Sequence, residues 1–195
     1  RMVEIIVSDQ CVAKLRLELV RAGSDEIGGV LAAENLGDGR FLVLDLSVQR
    51  DGSFSSFTRS SPRHGRFIRR FLERYGRDYQ RYNYLGEWHS HPSFPAMPSL
   101  PDLRQMQRLI EEPSQRALFL TLLVLKLGRS RSLEGSAYAF RRGLAPLRVG
   151  LSAAGPRGLR PPASDWGRTL GRRLGGARRA EEQGGSHELE GEIRG

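Results

Sequence analysis

The order of apolar and polar positions along residues 2–142 predicts alternating strands and helices. Residues 2–7 read as a strand, and Asp9 then caps a helix running to about residue 20. Residues 27–33 form a second apolar run. The Leu36-Gly37-Asp38-Gly39 turn leads into a third strand at 41–48, so these two are expected to form a hairpin. After a Ser-rich loop at 51–61, Pro62 opens a helix whose Phe67, Ile68, Phe71, Leu72 and Tyr75 mark one buried stripe. Residues 84–91 read as a strand ended by Pro92, and Pro95 and Pro98 keep the following loop out of helix. A helix at 100–110 presents Leu103, Met106 and Ile110 on its apolar face. Final strands are expected at 117–127 and near 135–140. The run from Leu118 to Leu125 is too continuous for a half-exposed strand, which places it at the centre of the sheet with both faces covered.

The expected fold is therefore α/β, a central mixed β-sheet flanked by helices, in a single domain over residues 1–143. From Leu144 the composition shifts to Arg, Gly, Pro and Glu, so 144–195 reads as a flexible tail. Within it Trp166, Leu170 and Leu174 recur at helical spacing among Arg168, Arg172 and Arg173, a pattern that also fits a short basic amphipathic helix.

Charge and cysteine content narrow the function classes. The formal net charge is +9, and Arg63, Arg66, Arg69, Arg70, Arg74, Arg77 and Arg81 cluster around the helix opened by Pro62. This reads as a solvated basic face that can also dock an acidic protein. Without aromatic stacking motifs or a nucleic-acid fold, direct nucleic-acid binding is not expected. Cys11 is the only cysteine, so one chain builds neither a disulfide framework nor a thiolate zinc site. No secretory leader is visible and no run approaches about 18 apolar residues, so no membrane span and a cytoplasmic location are expected.

The chemistry lies at His89-Ser90-His91-Pro92, followed by Ser99 and Asp102. In a strand, residues i and i+2 share a face, so both imidazoles project together. Asp102 falls in the first turn of the next helix. Two imidazoles and one carboxylate leave a tetrahedral metal one open position, the arrangement of a catalytic zinc. Zinc lowers the pKa of water from about 15.7 to roughly 7, on the order of 12 kcal/mol of hydroxide formation. Glu26 is the candidate proton shuttle and Ser99 the candidate oxyanion donor. Each position also has an ordinary reading: Ser99-x-x-Asp102 fits a helix capping box, the histidines a polar pair beside Trp88, and Glu26 a solvated acid at a strand entrance.

Taken together, Glu26-Ile27-Gly28-Gly29-Val30-Leu31, Trp88-His89-Ser90-His91-Pro92, Ser99 and Asp102 closely resemble the JAMM (MPN+) metalloproteases, in particular the prokaryotic JAB-domain branch, over roughly residues 3–142. The resemblance implies a JAB/MPN fold of the cytidine-deaminase-like type. It also implies zinc held by His89, His91 and Asp102, with Glu26 as general base and Ser99 assisting the oxyanion. The implied activity is a hydrolase, a zinc peptidase or isopeptidase that processes or deconjugates the C-terminal tail of a ubiquitin-like or sulfur-carrier protein beside conjugation-system enzymes. The alternatives are a non-catalytic MPN-type interaction module and a different metal-dependent amide hydrolase. No motif position is missing, which disfavours the inactive form.

Overall fold

The computed structural model describes residues 3–50, 62–128, 130–155 and 158–161. The Ser-rich loop at 51–61 and the amphipathic pattern at 166–174 lie outside these residues. The described elements are β1 (Glu4–Val7), α1 (Asp9–Ala22), β2 (Gly28–Gly37), β3 (Arg40–Leu46), α2 (Pro62–Arg74), β4 (Tyr82–Ser90), α3 (Leu100–Glu111), β5 (Leu120–Leu127), β6 (Leu133–Phe140), β7 (Leu147–Ala153) and β8 (Leu159–Arg160). The chain is thus an α/β domain with a mixed sheet and, among the described residues, three helices.

The mixed sheet closes on itself, a feature the sequence pattern does not reveal. Its strands run β5-β4-β2-β3-β1-β7-β6, and β5 also pairs with β6, so seven strands close into a ring. The inner cluster draws on all seven: Ile5, Leu31, Val43, Trp88, Leu123, Ala137 and Val149 meet Cys11, Val12, Leu15 and Leu19 of α1. Helix α1 therefore covers the inner face of the ring. A second set of buried side chains, including Phe71, Met106, Ile110, Leu122, Val124 and Phe140, lies outside that cluster and forms the layer under α2 and α3. Two apolar faces explain the unbroken run in β5, whose residues 120–125 are all buried. Leu118, placed in that run by the sequence pattern, precedes the strand and is 88% exposed.

The expected boundary at residue 143 falls too early. β7 lies between β1 and β6, parallel to the first with Glu4 opposite Gly150 and antiparallel to the second with Ala137 opposite Val149. Its Leu147-Arg148-Val149-Gly150-Leu151-Ser152-Ala153 does carry a strand period, hidden in an Arg- and Gly-rich context. Ala154 N–H then bonds Val7 O, and the Asp9 carboxylate packs against Gly155. A chain ended at residue 143 should lose cooperative thermal unfolding, because it loses both ladders that close the ring, whereas one ended at 161 keeps every ladder described. An unchanged melting curve for the shorter chain would show that β7 adds nothing to the fold.

Local details agree with the pattern more closely. β2 and β3 form the expected hairpin, with Asp38 and Gly39 both at positive φ (52° and 81°). The cap of α1 is one residue earlier than the pattern predicts: Ser8, not Asp9, accepts from Cys11 N–H, and Asp9 is the first helical residue, its acid in the first turn. Burial pushes the Cys11 thiol up to about 11, against the pull of its Ser8 hydrogen bond, so it forms no thiolate at neutral pH. Helix α2 seats Phe71 and Tyr75 against Tyr82 at the start of β4, with the Tyr75 and Tyr82 rings stacked at 4.4 Å. No described helix is long and apolar enough to cross a membrane.

Candidate metal centre

Strand β4 carries the site. It is antiparallel to β2, with Gly28 opposite His89, and parallel to β5, with His89 opposite Val124. Trp88 points into the inner cluster and donates its indole N–H to Ser47 O at 2.9 Å. The alternation sends Glu87, His89 and His91 to the outer face, beside α3. Two glycines permit this packing. A Cβ at Gly29 would stand 2.0 Å from Ser47 O, the carbonyl that Trp88 bonds. Gly86 has φ 151°, and a Cβ there would lie 2.0 Å from Thr121 O of β5.

The chain leaves β4 at His91, whose N–H is still held by Leu125 O at 2.9 Å. The loop at 92–98 is then fastened to the sheet, with Lys126 donating to Phe94 O and Ser136 to Ala96 O at 2.7 Å. This delivers Ser99 to the start of α3. There Ser99 and Asp102 form a capping box: Asp102 N–H donates to Ser99 Oγ at 3.3 Å and Ser99 N–H to Asp102 Oδ2 at 2.7 Å. The capping reading is met, and it does not exclude the ligand reading, because the same Oδ2 faces the histidines.

His89 Nε2 and His91 Nε2 are 3.1 Å apart, and Asp102 Oδ2 lies 3.6 Å from the first and 3.7 Å from the second. Donors on a tetrahedral zinc, with bonds of roughly 2.0–2.1 Å, stand about 3.3 Å from one another. The three side chains therefore fit a small divalent ion held between them. His91 Nδ1 pairs with Pro95 O at 3.1 Å, which fixes the tautomer that presents the Nε2 lone pair to the centre. Burial and the neighbouring His89 lower the His91 pKa, against the Pro95 carbonyl and the Asp102 and Glu26 charges, so the ring is neutral at pH 7. Burial would raise the Asp102 carboxyl, but the His89 hydrogen bond and charge, together with Ser99, pull it down to about 2. Both are in their metal-binding states at neutral pH.

Glu26 enters through the β2–β4 register. The β2–β4 ladder ends at the Gly28–His89 pair, Ile27 and Ser90 follow it, and the Glu26 charge is felt at the His91 ring. The intervening pair is clamped twice: Ser90 N–H donates to Ile27 O at 2.8 Å, and Ile27 N–H donates to Ser90 Oγ at 2.9 Å. Ser90 is 1% exposed and faces away from the histidines, so motif spacing gave no reason to single it out. Ser90→Ala leaves the buried Ile27 N–H without its acceptor, and a destabilisation of about 1–3 kcal/mol is expected, with Ser90→Thr restoring most of it. Thermal unfolding of the two variants checks this; equal melting of Ser90→Ala and the parent would mean that the hydroxyl is dispensable. Phe94, also not foreseen, stands edge-on to His91 and is 62% exposed.

A model of the prokaryotic homologs of the JAB domain matches residues 8–134. The chain belongs to the prokaryotic JAB-domain family. The solution structure of a protein from Desulfitobacterium hafniense shares the JAB-domain chain's fold at a TM-score of 0.53 and 18% identity, covering 76% of this chain and 92% of that one. A protein from Salinibacter ruber aligns at a TM-score of 0.46 and 19% identity, over 77% of this chain and 92% of its own. No curated protein matches significantly. Within this JAB domain, the match spans β2, β4 and α3, the elements that bring His89, His91 and Asp102 together.

Proposed function

We propose that this JAB domain is a zinc-dependent peptidase or isopeptidase acting at the C-terminal tail of a ubiquitin-like or sulfur-carrier protein. The observation that carries the reading is the convergence of His89, His91 and Asp102 at tetrahedral donor spacing, with the Glu26 charge felt at the His91 ring. When bound, zinc supplies Lewis acidity and makes hydroxide accessible near neutral pH. The chain's own residues supply the rest. Glu26 accepts a proton from the attacking water and returns it to the leaving amine. Ser99 donates to the developing oxyanion. In the resting arrangement the Ser99 hydroxyl donates to Asp102 Oδ2 at 2.6 Å, so that hydrogen bond has to be exchanged for one to the substrate.

The tail of the substrate would run extended beside the segment at 47–49, whose Gln49 bridges Gly28 next to the site. Phe94 offers an exposed ring beside His91. Small residues at the scissile bond, Gly above all, let the backbone reach the donors. Ferrous iron also accepts two imidazoles and a carboxylate, but Glu26 and Ser99 have no necessary role in an iron oxygenase.

The test is cleavage by the purified chain of two coumarin amides, one preceded by Gly-Gly and one by Leu-Leu. Gly-Gly amide is expected to be cleaved, a zinc chelator to stop the reaction, and added zinc to restore it. Failure of zinc-loaded protein to cleave Gly-Gly amide, or equal rates on both, would overturn the reading.

A further inference from the structure

Helix α2 is charged against its own interest. Its first turn carries no acid, and Arg63 stands there, where the helix dipole disfavours a cation. Arg63 and Arg66 are three residues apart, Arg66 and Arg70 four, and Arg70 and Arg74 four, so like charges are stacked along one stripe, with Arg69 beside it. All five are exposed. Among the described residues, Arg74, Arg77 and Arg81 have carboxylate partners in Asp45, Glu73 and Glu34. No ion pair with a described residue involves Arg63, Arg66, Arg69 or Arg70.

We propose that this arginine stripe is a docking surface for an acidic segment of a partner protein. Its dimensions favour protein over nucleic acid. From Arg63 to Arg70 the helix rises about 10 Å, and the stripe ends where Glu73 and Asp45 bring carboxylates to the surface. That length suits a few Asp or Glu side chains, whereas a phosphate backbone would run on into the acids. Of the aromatic side chains at and just after α2, two are engaged within the fold, and Phe67 is half-buried rather than displayed. Phe71 is buried, and it and Tyr75 pack on Tyr82. Arginine forks bind carboxylates in pairs, and steering by the unneutralised charge would speed encounter.

The inference is independent of metal and activity. Its test is fluorescence anisotropy of the full chain with a labelled peptide of Glu-Glu-Ser repeats and with a labelled DNA duplex, at low and at physiological salt. The peptide is expected to bind, with affinity falling as salt rises. Replacing Arg63, Arg66, Arg69 and Arg70 by Gln should weaken binding at least about tenfold. Replacing Arg104, Arg108, Arg116 and Arg131, also exposed, removes the same charge elsewhere and should change it less than about twofold. Should the fourfold α2 variant fail to fold, Arg66→Gln with Arg70→Gln serves in its place. Absence of peptide binding, an equal loss in both variants, or tighter binding of the DNA than of the peptide would overturn the proposal.

Discussion

His91→Ala protein is expected to emerge from purification without stoichiometric zinc and without peptidase activity, while its fold survives. His91 is one of three converging donors, and its Nδ1 pairing with Pro95 O orients the ring so that Nε2 faces the other two. Loss of a residue that merely supports a ligand typically costs 10–100-fold in metal affinity; removal of a ligand itself leaves two protein donors and should cost more. The ring is neutral at pH 7, so its removal takes away a donor and no folded-state charge. Metal analysis and a melting curve on the same preparation decide the matter. Full zinc retention would remove His91 from the site, and a collapsed melting temperature would show that the ring is structural first.

Glu26→Gln should give the opposite dissociation, with zinc retained and turnover lower by about 100-fold or more. The amide keeps the shape of the carboxylate and cannot take a proton. Backbone placement should be unaffected, because the Ile27–Ser90 clamp that sets the register involves no Glu26 side-chain atom. Near-normal cleavage would reject the assigned proton transfer. Zinc loss from a well-folded variant would instead make Glu26 a fourth ligand. Ser99→Ala is a graded companion: its hydroxyl and N–H both donate to Asp102 Oδ2, so the loss should show in metal affinity as well as in rate.

The clustering of the candidate donors was legible because it is local. His89 and His91 sit two apart on one strand, and Asp102 lies one helical turn beyond a proline-rich loop, so spacing alone orients them. Glu26 is set by a pairing 63 residues away between Ile27 and Ser90, and such a register cannot be counted off a sequence; the family resemblance supplied it. Ring closure was hidden for a similar reason. It needs β7 to lie parallel to β1 from the far end of the domain, and Arg148, Gly150 and Ser152 mask the apolar positions between them. Leu118 shows the converse error: an apolar residue beside a buried run was counted as buried, although chain entry into the strand leaves it exposed.

A ring of strands has no long free edge. Sheets that end in an open strand offer a row of unpaired amides to any neighbouring chain, and natural proteins blunt such edges with charge, proline or bulges. Here closure between β5 and β6 and between β7 and β1 consumes those groups directly. Strand-for-strand templating between copies of this domain therefore requires the ring to open first, which couples self-association to the opening of β7 and leaves the intact sheet a poor seed for fibrils.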